Sequence, residues 1–227
     1  MMSAANLTTA LLPGGSHVQT RTERARPQPD VGCAPATIPT MRRNFVFGYG
    51  SLAAELAFVP SRERHDEGFV ADLPGFARGW GVAMDNGRDL PGYKYYTAAD
   101  GSRPRVFVSF LDVAPVAGAA AVNGLCLPVD ADQLARLDQR ERNYSRVDVS
   151  DRVPARGARV WVYMGTAAAR ERLHAARHDG LAVVDATYRN AVERAFAALG
   201  ADELALCRPS LAPGELPVLE LVRHELA

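Results

Sequence analysis

The chain has 227 residues, 48% of them hydrophobic, and 26 basic side chains balance 26 acidic ones to a net charge of zero. That length builds one well-buried domain and leaves little for a second. A neutral balance gives no long-range field for nucleic acid or an acidic membrane surface, and no run of about twenty apolar residues is present to span a bilayer, so the expected partner is a small molecule.

Residues 1–41 are rich in Thr, Pro, Gly and Ala, hold only Glu23 and Asp30 as acids, and show no sustained period. They predict a disordered tail, or a start placed ahead of the true one at Met41. An Arg-bearing, acid-poor leader is also the composition of an organellar transit peptide. Residues 42–227 form the expected folded domain.

From Asn44 onward, apolar and aromatic residues bunch into short runs divided by Gly, Pro and Asp: Phe45 to Phe47, Phe76 to Met84, Val106 to Val113 and Val122 to Leu127. These predict strands, with further ones at Val147 to Val149 and Val160 to Met164. Several gaps are too short for crossover helices, which favours antiparallel pairing. Runs apolar on both faces, such as Phe107, Val108 and Phe110, suit a sheet that curls into a barrel or is covered by helices. Three helices follow from caps and stops. Asp130 with Gln133 three residues on predicts a capping box ahead of Leu134 and Leu137. A second helix runs from about Ala167 to Arg177 and stops before Gly180, and a third starts at Asp185 and ends before Gly200. Strands first and helices later indicate an α+β domain.

The cysteines Cys33, Cys126 and Cys207 are far apart and form no C-x-x-C pair, which fits a reducing, cytoplasmic setting. No cofactor or metal is implied, and no feature fixes an oligomeric state.

Two places carry candidate chemistry. The first strand runs into Phe47-Gly48-Tyr49-Gly50-Ser51-Leu52, where glycines let backbone N–H groups converge on an anion, or simply make a turn. The spacing Gly48-x-Gly50-x-x-Ala53 mimics a dinucleotide fingerprint, but Pro60 and the charged run Arg62 to Glu67 follow where a helix and a second strand are required. Ser51 lacks the flanking glycines of a hydrolase elbow. The second place is Glu141. If the helix from Asp130 continues, Glu141 falls on the stripe of Leu134 and Leu137, which turns its carboxylate inward and raises its pKa toward that of a general base. If the helix has ended, Glu141 lies at the surface beside Arg140 or Arg142.

Tyr49-Gly50-Ser51-Leu52, Gly75-Phe76-x-Arg78-x-Trp80 and Leu137-Asp138-x-Arg140-Glu141 occur in an order that resembles the gamma-glutamylcyclotransferase (AIG2-like) family, over roughly Asn44 to Gly165. The resemblance implies a small mixed, largely antiparallel β-barrel flanked by helices. It implies an enzyme that closes a gamma-glutamyl amide, of an amino acid or an amine, into 5-oxoproline and a free amine. The backbone of Tyr49, Gly50, Ser51 and Leu52 would hold the substrate's α-carboxylate, and Glu141 would be the acid/base facing its α-amine. Apart from the resemblance, Tyr144 either hydrogen-bonds substrate near Glu141 or packs at the helix exit. The alternative is a non-catalytic ligand-binding or regulatory module on the same fold, and a nucleotide-dependent oxidoreductase is a more distant third.

Other features weigh less. Trp80, Asn86, Tyr93, Tyr95 and Tyr96 either wall a pocket or pack a core, and Lys94 among them reads as exposed or ion-paired. His174 and His178 have the spacing of a metal pair, but their place in a last helical turn is explained by the helix dipole. The arginines from Arg140 to Arg152 read as a solvated face.

Overall fold

A computed structural model describes residues 43–55, 68–155 and 157–226. They belong to one compact unit, Thr40–Ala227. The expectations for residues 1–41 and for the run Arg62 to Glu67 lie outside the described residues.

The central sheet is assembled around β1 (Asn44–Gly48), whose side chains Phe45, Val46 and Phe47 are all buried. On one side β1 pairs antiparallel with β6 (Val122–Val129), which in turn pairs with β2 (Phe69–Leu73). On the other side it pairs in parallel with β8 (Arg159–Gly165), which carries β7 (Tyr144–Asp148) at the edge. This arrangement rules out a dinucleotide fold at Gly48-x-Gly50. Such a fold places the second strand beside the first in parallel, whereas β2 lies beyond β6 and runs antiparallel to it.

A second sheet has the order β10 (Val218–Leu219), β9 (Ala182–Asp185), β5 (Phe107–Pro115), β3 (Phe76–Asp85). A two-stranded ribbon joins β4 (Lys94–Thr97) to β11 (Val222–Glu225). The α+β class and the predominance of antiparallel pairing hold, but the strands form three sheets and no closed barrel among the described residues. The reason lies at the seam between β5 and β8. The N–H of Gly165, at the end of β8, donates to the Asp112 carboxylate on β5 at 2.7 Å, so a side chain stands where a backbone ladder would continue. Gly81 and Gly165 make room for it. A Cβ on Gly81 would lie 2.5 Å from Asp112 Cβ, and one on Gly165 2.6 Å from Asp112 Oδ2. The same carboxylate pairs with Arg170 at 2.7 Å.

The predicted helices form nearly as expected. α2 (Ala131–Arg140) carries the Asp130–Gln133 capping box, α3 (Ala167–His178) is capped by Thr166, and α4 (Ala186–Leu199) is capped by Asp185. Two further helices are short: α1 (Ser51–Glu55) lies against α4, and α5 (Ala201–Cys207) follows Gly200. None of the described helices is long and apolar enough to cross a membrane.

Candidate functional site

The turn after β1 is fixed from beneath by Arg78. Its guanidinium donates to the Tyr49 carbonyl at 3.2 Å, the Asn123 carbonyl at 3.0 Å, Asn123 Oδ1 at 2.9 Å and Ser210 Oγ at 2.7 Å. It also lies 4.8 Å from the centre of the Phe196 ring. Arg78 thus ties β3, β6 and the C-terminal helices to the carbonyl at which the turn begins. Trp80 of the same segment donates to the Ala212 carbonyl and meets the Tyr188 ring edge to face at 5.9 Å, while Phe110 meets that ring at 5.1 Å.

Of the two courses open to Glu141, the helix end and the pairing with Arg140 occur, but the side chain lies in a pocket and not at the open surface. α2 ends at Arg140, and Glu141 is its C-cap, with φ −84° and ψ 52° and its N–H on the Leu137 carbonyl. Leu134 and Leu137 do pack inward, against β1 and β8, but Glu141 does not extend their helical stripe. Its bent backbone carries the side chain into a pocket, where it is 18% exposed. Arg140 holds it there, with Nε and Nη2 each donating to Oε1 at 3.0 Å. A carboxylate bonded through one oxygen keeps acceptor capacity on the other. Asp138 in the preceding turn accepts from the Tyr163 hydroxyl at 2.8 Å and pairs with Arg146 at 3.1 Å, which anchors the helix end to β8 and β7.

Tyr49, Gly50, Ser51, Leu52, Glu141 and Tyr144 all line one pocket of about 300 Å³, its solvent mouth included. A second pocket of about 570 Å³, likewise with its solvent mouth included, adjoins it, and Ser51, Glu141, Tyr144 and Tyr188 border both. The phenols here mostly serve as braces. Tyr49 donates to the Tyr163 carbonyl at 2.6 Å and Tyr144 to the Leu111 carbonyl at 2.8 Å. Each proton is therefore committed, and either oxygen keeps the capacity to accept a hydrogen bond. Burial first, then neighbouring negative charge, holds the phenol pKa values of Tyr49 and Tyr144 well above their ordinary range. Burial does the same for Tyr188, partly offset by hydrogen bonds from Leu111 and Ser51. These phenols stay protonated at neutral pH and act as hydrogen-bonding groups, not bases.

The aromatic segment divides between wall and core. Tyr93 and Lys94 line the larger pocket, whereas Asn86 is wholly buried and ties the Tyr96 backbone and the Pro104 carbonyl together. Tyr96 belongs to the core, Tyr95 stacks on His224, and Trp80 borders a separate groove. Lys94 is neither solvent-borne nor ion-paired, since its Nζ sits 4.3 Å above the centre of the Phe110 ring. His174 and His178 are exposed on α3, and His178 lies beside Asp179. Tyr188 is the site residue that sequence reasoning missed. Its spacing with Val192 and Phe196 is that of an ordinary buried helix face.

The family model for gamma-glutamyl cyclotransferase, AIG2-like, matches residues 46–180, more than half of the chain. The chain belongs to this family. A search among curated proteins finds no match. Among solved structures, YkqA from Bacillus subtilis is 15% identical with a TM-score of 0.45, covering 78% of this chain and 56% of its own length. A gamma-glutamyl cyclotransferase is 14% identical with a TM-score of 0.44, covering 75% of this chain and 87% of its own. A yeast gamma-glutamyl cyclotransferase specific to glutathione is 14% identical with a TM-score of 0.37, covering 78% and 90%. The family match takes in the turn, Arg78, Lys94, Glu141 and Tyr144, while Tyr188 and the strand β11 lie beyond its end at residue 180.

Proposed function

We propose that this cyclotransferase-family chain converts a gamma-glutamyl amide to 5-oxoproline and a free amine, with Glu141 as the single acid/base. The observation that carries this reading is that Glu141 and the Tyr49-Gly50-Ser51-Leu52 turn border one pocket.

The substrate already contains its nucleophile, but an α-amine is mostly protonated at neutral pH. With the α-carboxylate at the turn, the α-ammonium faces Glu141, which takes one proton. The amine lone pair attacks the γ-carbonyl carbon, and the ring C–N bond forms as the carbonyl π pair moves to oxygen. Collapse of that oxyanion breaks the amide C–N bond as protonated Glu141 gives its proton to the leaving nitrogen, and the freed Glu141 carboxylate then passes the second proton of the ring nitrogen to the departing amine, which leaves as an ammonium. Charge and atoms balance without a co-reactant. Holding the chain folded makes closure intramolecular, which contributes roughly 7 to 11 kcal/mol.

Glu141→Gln keeps the shape and removes the proton acceptor. The expected result is retained binding of gamma-glutamyl ligands with 5-oxoproline release reduced by about 10² to 10⁴. A Gln variant as fast as the native enzyme refutes the assignment. One observation favours the second reading, a non-catalytic ligand-binding module: the two-pronged hold of Arg140 on Glu141 Oε1. A panel of gamma-glutamyl amino acids, gamma-glutamyl amines and glutathione separates the two, because ligands that bind without yielding 5-oxoproline select the module.

A further inference from the structure

The larger pocket has a wall that ring closure does not use. It is built by the β4–β11 ribbon, in which Lys94 stands opposite Glu225 and Arg223 opposite Tyr96. The N–H of Leu226 fastens the end of the ribbon to the Tyr93 carbonyl. Lys94, Arg223 and Glu225 border the pocket together with Arg140 and Glu141. The two carboxylates are each engaged by an arginine: Glu141 by Arg140 at 3.0 Å and Glu225 by Arg223 at 2.5 Å. Lys94 has aromatic faces instead, Phe110 at 4.3 Å and Tyr93 at 5.7 Å from Nζ to ring centre. Among the described residues no carboxylate lies within 4.0 Å of its ammonium. Glu225, its cross-strand neighbour, is turned to Arg223.

A partly buried cation gains most from an oppositely charged partner, because the cost of desolvation is already incurred and the attraction is weakly screened. The ring faces supply part of that stabilisation and leave the three N–H donors of the ammonium for a ligand. Desolvation by burial, followed by the positive charge of Arg223, lowers the Lys94 pKa to about 8, which still leaves it mainly cationic at neutral pH. The pocket shares Ser51, Glu141, Tyr144 and Tyr188 with the turn-side pocket but not Tyr49, Gly50 or Leu52. The amide nitrogen, which must meet Glu141, therefore belongs where the two adjoin.

We propose that this second pocket receives the leaving amine, and that Lys94 is its specificity-determining residue, selecting an amine that carries a carboxylate. The assignment rests on the ring-closing reading above and adds the chemistry of the substrate's other end. It also gives β11, which lies beyond the family-matched residues, a role as the frame for that selection.

The test compares gamma-glutamyl-alanine with gamma-glutamyl-ethylamine, which differ only by the carboxylate. In the native enzyme kcat/KM for 5-oxoproline release favours the alanine compound by about tenfold or more, the scale of a partly screened ion pair. Lys94→Met collapses that ratio toward one, and Lys94→Arg preserves most of it. A native ratio near one, or a Met variant that slows both substrates equally, overturns the proposal; the latter assigns Lys94 to proton transfer or packing. Calorimetric titration of Glu141→Gln with both compounds supplies a readout that needs no turnover. Lys94-dependent preference in binding without any 5-oxoproline from native enzyme sinks the ring-closing reading and keeps the anion subsite. Binding of neither compound sinks both.

Discussion

Replacing Arg78 by Met keeps the length and apolar contact of the side chain while deleting four hydrogen bonds. Hydrogen bonds from a charged donor contribute about 1.5 to 3 kcal/mol each, so a simple sum runs near 6 to 12 kcal/mol. Two features lower that sum. Ser210 keeps its bond to the Cys207 carbonyl, and Asn123 keeps its own donation to Glu203, so the Tyr49 and Asn123 acceptors bear most of the loss. Arg78 is itself only half-buried, so water can replace part of its role. About 3 to 5 kcal/mol remains, or a fall in melting temperature on the order of 10 °C for a domain of this size. Thermal unfolding followed by circular dichroism measures the fall. The kcat/KM for a gamma-glutamyl amide should drop as well, because the Tyr49 carbonyl begins the turn. Arg78→Lys, with one ammonium in place of a fork, should lie between the two. A Met variant melting within about 2 °C of the native protein refutes the view that this guanidinium anchors the turn.

Asp112→Ala strips the acceptor from the Gly165 N–H and from Arg170, which costs about 3 kcal/mol in chemical denaturation; an unchanged midpoint contradicts its place as the link between β5 and β8. Cys126 and Cys207 are buried free thiols whose pKa values burial raises, that of Cys126 to about 12. Peptide mapping after iodoacetamide treatment near neutral pH should find both unmodified in folded protein and both modified in denaturant. Lys94 loses its proton as pH rises through about 8; Arg223 and Arg140 favour that loss while Glu141 and Glu225 oppose it. The preference for a carboxylate-bearing leaving amine should therefore be full on the acid side and fade toward alkaline pH, and a preference that grows there contradicts the role given to this lysine.

The parts legible in the sequence are those written locally. Asp130 and Gln133 announce α2 because a capping box needs only four consecutive residues, and Gly180 and Gly200 mark where α3 and α4 stop. The β9 strand was hidden because Ala-Val-Val-Asp between two helices is too short to carry a period. β11 was hidden because Val-Arg-His-Glu looks like surface until β4 pairs with it. The turn and Glu141 were singled out through motif order, but the path of Glu141 stayed open, since nothing in Leu137-Asp138-Gln139-Arg140 signals that the helix ends there. Lys94 was misread for a further reason. Its surroundings, Phe110 and Arg223, come from remote parts of the chain, and no local pattern encodes them. Closure of the sheet failed for a comparable reason: one carboxylate, Asp112, fits between two distant glycines.

The position of β1 also governs how the molecule is made. Val46 lies between Leu127 on one flank and Trp161 on the other, so the strand that leads into the Tyr49 turn gains its neighbours only after much of the chain has formed. Domains rich in such non-local pairings fold on the order of milliseconds to seconds. Phe45 and Phe47, buried in the folded domain, lack their cover until β6 and β8 are in place. Refolding at high concentration should lose material to aggregation through this aromatic strand before any activity is recovered, and dilute or chaperone-assisted refolding should restore the yield.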